Sequence, residues 1–147
     1  VGPAAGGFKL DREGGERLRF SDADFVILAS AETTLGAFGI VEEIDPLDTP
    51  LHVHRNEDEL FYVLEGEHVF QVGEDEFQVG PGGLAFAPRG IPHAQRRVAP
   101  RVGRTLTMVS PAGFEGFFRE LSNAESDGSL GREVYARVSE KYAITWL

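Results

Sequence analysis

The chain has 147 residues, of which 41% are apolar, enough to fill one hydrophobic core but not two. Its 24 acidic residues outnumber 14 basic ones, and the formal charge of −10 repels phosphate backbones and anionic membrane surfaces, so no nucleic-acid partner is expected. Cysteine is absent, which excludes disulfides, thiolate metal sites and cysteine nucleophiles and leaves nitrogen and oxygen as the only metal donors.

Residues 1–7 are small and read as a flexible tail. They lack the basic and apolar regions of a signal peptide, and no later apolar run approaches the ~20 residues of a membrane helix. A cytoplasmic protein with no membrane association is therefore expected. From residue 8 to 111, glycine pairs (Gly14-Gly15, Gly82-Gly83) and the Asp45-Pro46 and Thr49-Pro50 steps cut the sequence into short pieces. Between them lie strand-length apolar runs at Phe25–Ala29, Ala37–Val41, Phe61–Leu64, His68–Val72, Leu84–Ala87 and Thr105–Val109. Short strands at this spacing predict an all-β barrel or sandwich.

Within this region, "HVHRNEDELFYVLEGE" places His52 and His54 two residues apart. Strand side chains alternate, so both imidazoles project from one face. The polar turn Arg55–Asp58 reverses the chain and can return Glu59 to a point beside them, while Glu57 and Asp58 read as solvated turn residues. Two imidazoles and a carboxylate suit a divalent first-row metal rather than magnesium or calcium. Further on, "GGLAFAPRGIPHAQ" supplies a strand, a tight turn on Pro88, Gly90 and Pro92, and a third imidazole, His93. A hairpin at Glu65-Gly66 would set the fourth histidine, His68, opposite Val63, about 13 Å along the strand from Glu59. That is too far to share an ion.

Residues 112–147 change period. Phe114, Phe117, Phe118 and Leu121 recur at helical spacing, as do Val134, Tyr135, Val138 and Tyr142. One or two helices are expected, their aromatic stripe packing outside a sheet or against a partner subunit rather than over a ligand. Open barrel edges and the apolar "AITWL" ending suggest a homodimer.

The spacing His52-x-His54-x4-Glu59-x6-Gly66, followed by Gly82-x5-Pro88-x-Gly90-x2-His93, resembles the two motifs of the cupin superfamily. That resemblance implies a jelly-roll β-barrel in which His52, His54, Glu59 and His93 bind one divalent transition metal (Fe, Ni, Mn, Co or Zn). The wider pattern is similar to small bacterial cupins described as quercetin dioxygenase-like. One departure is Arg97, where the second motif commonly has asparagine.

Three histidines and one carboxylate would leave two positions on an octahedral ion, suited to substrate and dioxygen. The expected activity is therefore a dioxygenase acting on an aromatic or enolisable small molecule, with Glu59 as both ligand and proton acceptor. The alternatives are a redox-neutral cyclase, isomerase or lyase, and a metal- and ligand-binding module without catalysis. Phe61, Val63, Phe70 and Phe86 are candidates for the substrate pocket, although each also suits a barrel core. By alternation from His93, Gln95 and Arg97 share its face, Gln95 as a donor beside the site and Arg97 either at the pocket mouth or on the surface.

Overall fold

The computed structural model describes residues 6–98 and 103–147. Of the expected flexible tail, residues 1–5 lie outside the described residues, and Gly6 and Gly7 are exposed and irregular. The chain then forms β1 (Glu16–Phe20), β2 (Ala23–Ala29), the short α1 (Ala31–Thr34) and β3 (Gly39–Ile44). Next come β4 (His52–His54), β5 (Asp58–Glu65), β6 (His68–Val72), β7 (Asp75–Val79), β8 (Leu84–Ala87), β9 (His93–Arg97) and β10 (Arg104–Ser110). The chain ends with α2 (Glu115–Ser126), α3 (Arg132–Lys141) and β11 (Ile144–Trp146).

The strands build two antiparallel sheets, ordered β1-β2-β3-β10-β5-β8 and β11-β4-β9-β6-β7. Consecutive strands repeatedly lie in different sheets, which is the jelly-roll arrangement the sequence predicts. Alternation decides what faces inward. β3 buries Gly39, Val41 and Glu43; β5 buries Glu59, Phe61 and Val63; β10 buries Thr105, Thr107 and Val109. One apolar cluster of Phe61, Val63, Phe70, Val79, Ala85 and Ala87 fills one part of the barrel. A second, built on Val109, Phe114, Phe117, Leu121, Val138 and Ile144, joins the helices to it.

Two expectations need correction. β5 and β6 are not a hairpin: β5 pairs with β8 and β10, whereas β6 pairs with β7 and β9. Gly66, at φ 80°, turns the chain from one sheet into the other, and only glycine adopts that conformation without strain. His68 therefore lies opposite Val79 and Arg97 rather than Val63. The second correction concerns the C-terminus. The "AITWL" ending does not await a partner, because Ile144–Trp146 pair with His54–His52 and cover the open edge of β4 from within the same chain.

Candidate metal centre

β4 is three residues long, with His52 and His54 buried and Val53 between them facing away. His52 lies opposite His93 in the β4–β9 pair, so the two strands deliver a third imidazole to the same face. The turn that carries His93 is held at both ends. Ile91 N donates to Pro88 O across it at 3.2 Å, and Gly90 N, at φ 79°, donates to His54 O at 2.8 Å. Arg89 ties the turn to the start of β5, donating from its backbone N and its guanidinium to Asp58. One residue later, alternation turns Glu59 inward.

The result is four buried groups, His52, His54, Glu59 and His93, whose candidate donor atoms all lie within 4.8 Å of one another. The Nδ1 atoms of His52 and His93 sit 2.7 Å from Pro50 O and 3.1 Å from Ile91 O. A carbonyl can only accept, so Nδ1 carries a hydrogen in both rings and Nε2 is the nitrogen left directed into the cluster. His54 directs Nδ1 toward Glu57 Oε2 at 3.5 Å and Nε2 toward Glu59 Oε2 at 3.2 Å. His93 Nε2 lies 2.8 Å from the same carboxylate oxygen. Three imidazole nitrogens and one carboxylate oxygen, oriented by outer partners and buried together, fit a divalent first-row metal.

Electrostatics divide the histidines. Burial and the adjacent His93 push His52 down to about 4, which keeps it neutral and able to ligate. Burial also opposes the cation at His54, but Glu59 and Glu57 outweigh it and lift that imidazole to about 9. Burial works against ionisation of Glu59 too, yet His54 and His93 hold its carboxyl well below the usual range.

A cavity of about 280 Å³ opens beside His52, His54 and Glu59. Phe114, Phe117 and Phe118 line it together with Phe25, Tyr135 and Trp146, so the aromatic stripe expected to pack away from any ligand instead forms the cavity wall. Helical spacing revealed the stripe but not the direction in which α2 folds back. Glu43 and Trp146 also border the cavity. Sequence reasoning missed both: Glu43 looks like any charged strand residue, and β11 is too short to show a period. Glu57, expected in solvent, is buried against His54.

Of the residues expected in the pocket, Phe61 and Gln95 line the cavity. Val63 and Phe70 are wholly buried in the neighbouring apolar cluster, the core role open to them from the outset. Phe86 is 49% exposed, since Ala85 and Ala87 take the inward positions of β8 and leave Phe86 on the outer face; it is removed from the pocket. Arg97 does not reach the cavity wall either. It is half-buried at the end of β9, where its backbone N donates to Asp48 Oδ1. His68 is buried, with Nε2 3.0 Å from Glu65 O, and lies outside the group of four.

Comparison with known proteins agrees with this fold. The family model described as "Cupin domain" matches residues 41–108. Among solved structures, KdgF from Halomonas sp. is similar at TM-score 0.63 and 18% identity, over 76% of this chain and 98% of that one. An RmlC-like cupin from Shewanella frigidimarina is similar at TM-score 0.62 and 20% identity, over 73% and 93%. Pac13, a nucleoside dehydratase from Streptomyces, is similar at TM-score 0.59 and 16% identity, over 76% and 88%. No curated protein matches the sequence. The two motifs, the matched stretch that spans them and the jelly-roll topology identify residues 41–108 of this chain as a cupin domain.

Proposed function

We propose that the chain is a metal-dependent enzyme that adds dioxygen to an aromatic or enolisable small molecule, as quercetin dioxygenase-like cupins do. The observation that carries this reading is a group of four buried nitrogen and oxygen donors, three of which, His52, His54 and Glu59, stand on the wall of an aromatic-lined cavity of about 280 Å³. In this reading His52, His54 and His93 through Nε2, and Glu59 through Oε2, hold one iron, nickel, manganese, cobalt or zinc ion. The ion supplies Lewis acidity toward a substrate oxygen and, where it is redox-active, a route to dioxygen chemistry. The remaining steps belong to the protein. Phe114, Phe117 and Phe118 exclude water and offer ring faces to a flat substrate. The second oxygen of Glu59 accepts the substrate hydroxyl proton.

A redox-neutral elimination or isomerisation is the second reading. It is favoured by Glu43, a buried carboxyl in the same cavity lifted to about 7, a value suited to passing protons near neutrality. The dehydratase activity described for Pac13 points the same way. An oxygen electrode separates the two. With metal-loaded protein and a panel of flavonols and β-diketones, oxygen uptake that disappears in Glu59→Ala supports the dioxygenase. Substrate consumption without oxygen uptake establishes the second reading instead. The proposal extends to a homodimer through the outward apolar side chains Tyr62, Leu84 and Phe86. Sedimentation as a monomer at every concentration would end that part of it.

A further inference from the structure

Glu43 and Gln95 come from different sheets and meet inside the barrel. Glu43 is 5% exposed and Gln95 6%, and both border the cavity that His52, His54 and Glu59 also line. Gln95 Nε2 donates to Glu43 Oε2 at 3.0 Å, and Thr107 Oγ1 donates to Glu43 Oε1 at 3.3 Å. Both carboxylate oxygens are thus engaged, and the orientation of the Gln95 amide follows. With Glu43 ionised, above about pH 7, the turned-over amide would set its carbonyl oxygen against a carboxylate oxygen, two acceptors facing each other. In the observed orientation Gln95 Oε1 is buried and has no hydrogen-bond partner among the described residues. Leaving a buried carbonyl unmade is costly.

We propose that Gln95 Oε1 is a second anchor of the cavity, accepting a hydrogen bond from a hydroxyl or N–H group on the ligand at a point distinct from the four candidate metal ligands, with Glu43 as the residue that positions it. This rests on the metal-dependent reading above and narrows its substrate class. The ligand carries a chelating oxygen group at one end, an aromatic body between the phenylalanines, and a neutral donor elsewhere on that body. A carboxylate or phosphate at the second point is disfavoured, because it would meet an acceptor oxygen and the nearby Glu43 carboxylate.

Benzohydroxamates provide the probe, since the hydroxamate is a metal chelator and the ring can carry either a hydroxyl or a methyl of similar size. Trp146, the chain's only tryptophan, borders the cavity, so quenching of its fluorescence reads binding directly. In zinc-loaded protein, a 3- or 4-hydroxyl derivative is expected to bind roughly tenfold more tightly than its methyl counterpart. The preference should vanish in Gln95→Met and persist in Glu43→Gln, which keeps an acceptor for the Gln95 amide. Equal affinity of hydroxyl and methyl probes at both ring positions in the unmodified protein overturns the anchor, without any need for a folded variant. Failure of the metal reading is seen separately, as affinity for the whole series that does not change when zinc is removed.

Discussion

His54 and His68 are each 1% exposed, yet only His54 belongs to the group that could hold an ion. The difference lies in what each ring nitrogen faces: His54 turns Nε2 toward Glu59, whereas His68 spends Nε2 on the Glu65 carbonyl. His54→Ala should therefore lower bound metal severalfold, while His68→Ala leaves metal content unchanged and costs stability, about 1–3 kcal/mol for a buried hydrogen-bonding group. Elemental analysis of the purified variants checks this, and equal metal loss in both would show that the ligands are wrongly assigned. Glu43 yields a prediction in pH. Burial raises its carboxyl from the ordinary 4.5 to about 7; between those values the folded chain holds a proton that the unfolded chain has released. Stability on this account is greatest below about pH 4.5 and falls as pH rises through 7. Glu43→Gln has no such proton to lose and can keep its bonds to Gln95 and Thr107. Its stability advantage over the parent should grow from near zero at pH 4 to at most about 3 kcal/mol at pH 8. Urea unfolding across that range measures it, and a difference that does not change with pH would mean that Glu43 ionises as freely in the barrel as in the open chain. At this scale the sequence is readable where chemistry and period coincide, as with His52 and His54. It is silent on Glu43 and Glu57, whose burial depends on strands far away in the chain.

The elements divide in a similar way. β3, β5 and β10 could be located from their apolar runs because alternation is a local property. β7 has only Val79 buried and the other four of its residues exposed, so it carries no apolar pattern to find. α2 is an intermediate case. Its spacing announces a helix, but whether Phe114, Phe117 and Phe118 face solvent, a partner or a ligand depends on the turn before it. In the fold, Phe114 stands edge-on to His54 with ring centroids 4.3 Å apart, and Phe118 stacks on Phe25 at 4.8 Å. The helix therefore links the candidate metal centre to β2. Phe117, 4% exposed in the cluster beneath the helices, is the side chain whose loss should be felt most in stability. Phe117→Ala is expected to cost about 3–5 kcal/mol, read from the urea midpoint. A loss below 1 kcal/mol would show that α2 is only loosely seated and cannot serve as a fixed cavity wall.

For the whole molecule, the unreadable feature was which strand joins which sheet. The β5–β6 turn looks like a hairpin in sequence, and nothing local distinguishes a hairpin from a crossover between facing sheets. The two motifs nevertheless implied the correct barrel, because their spacing reflects that crossover. The consequence is mechanical. His52, His54 and His93 project from β4 and β9 in one sheet, and Glu59 from β5 in the other, so one ion bound by all four would brace the two sheets against each other. An ion that binds the folded chain and not the unfolded one stabilises it by about 2.7 kcal/mol when free metal is a hundred times Kd. For a domain of this size that corresponds to a rise of roughly 5–10 °C in Tm. Zinc added to chelator-treated protein should produce this rise, chelator should reverse it, and His54→Ala should show little of either. The effect should also grow with the logarithm of metal concentration, which separates a bound ion from a general salt effect. A melting point indifferent to both zinc and chelator would remove the brace and, with it, the assignment of these four residues as a metal centre.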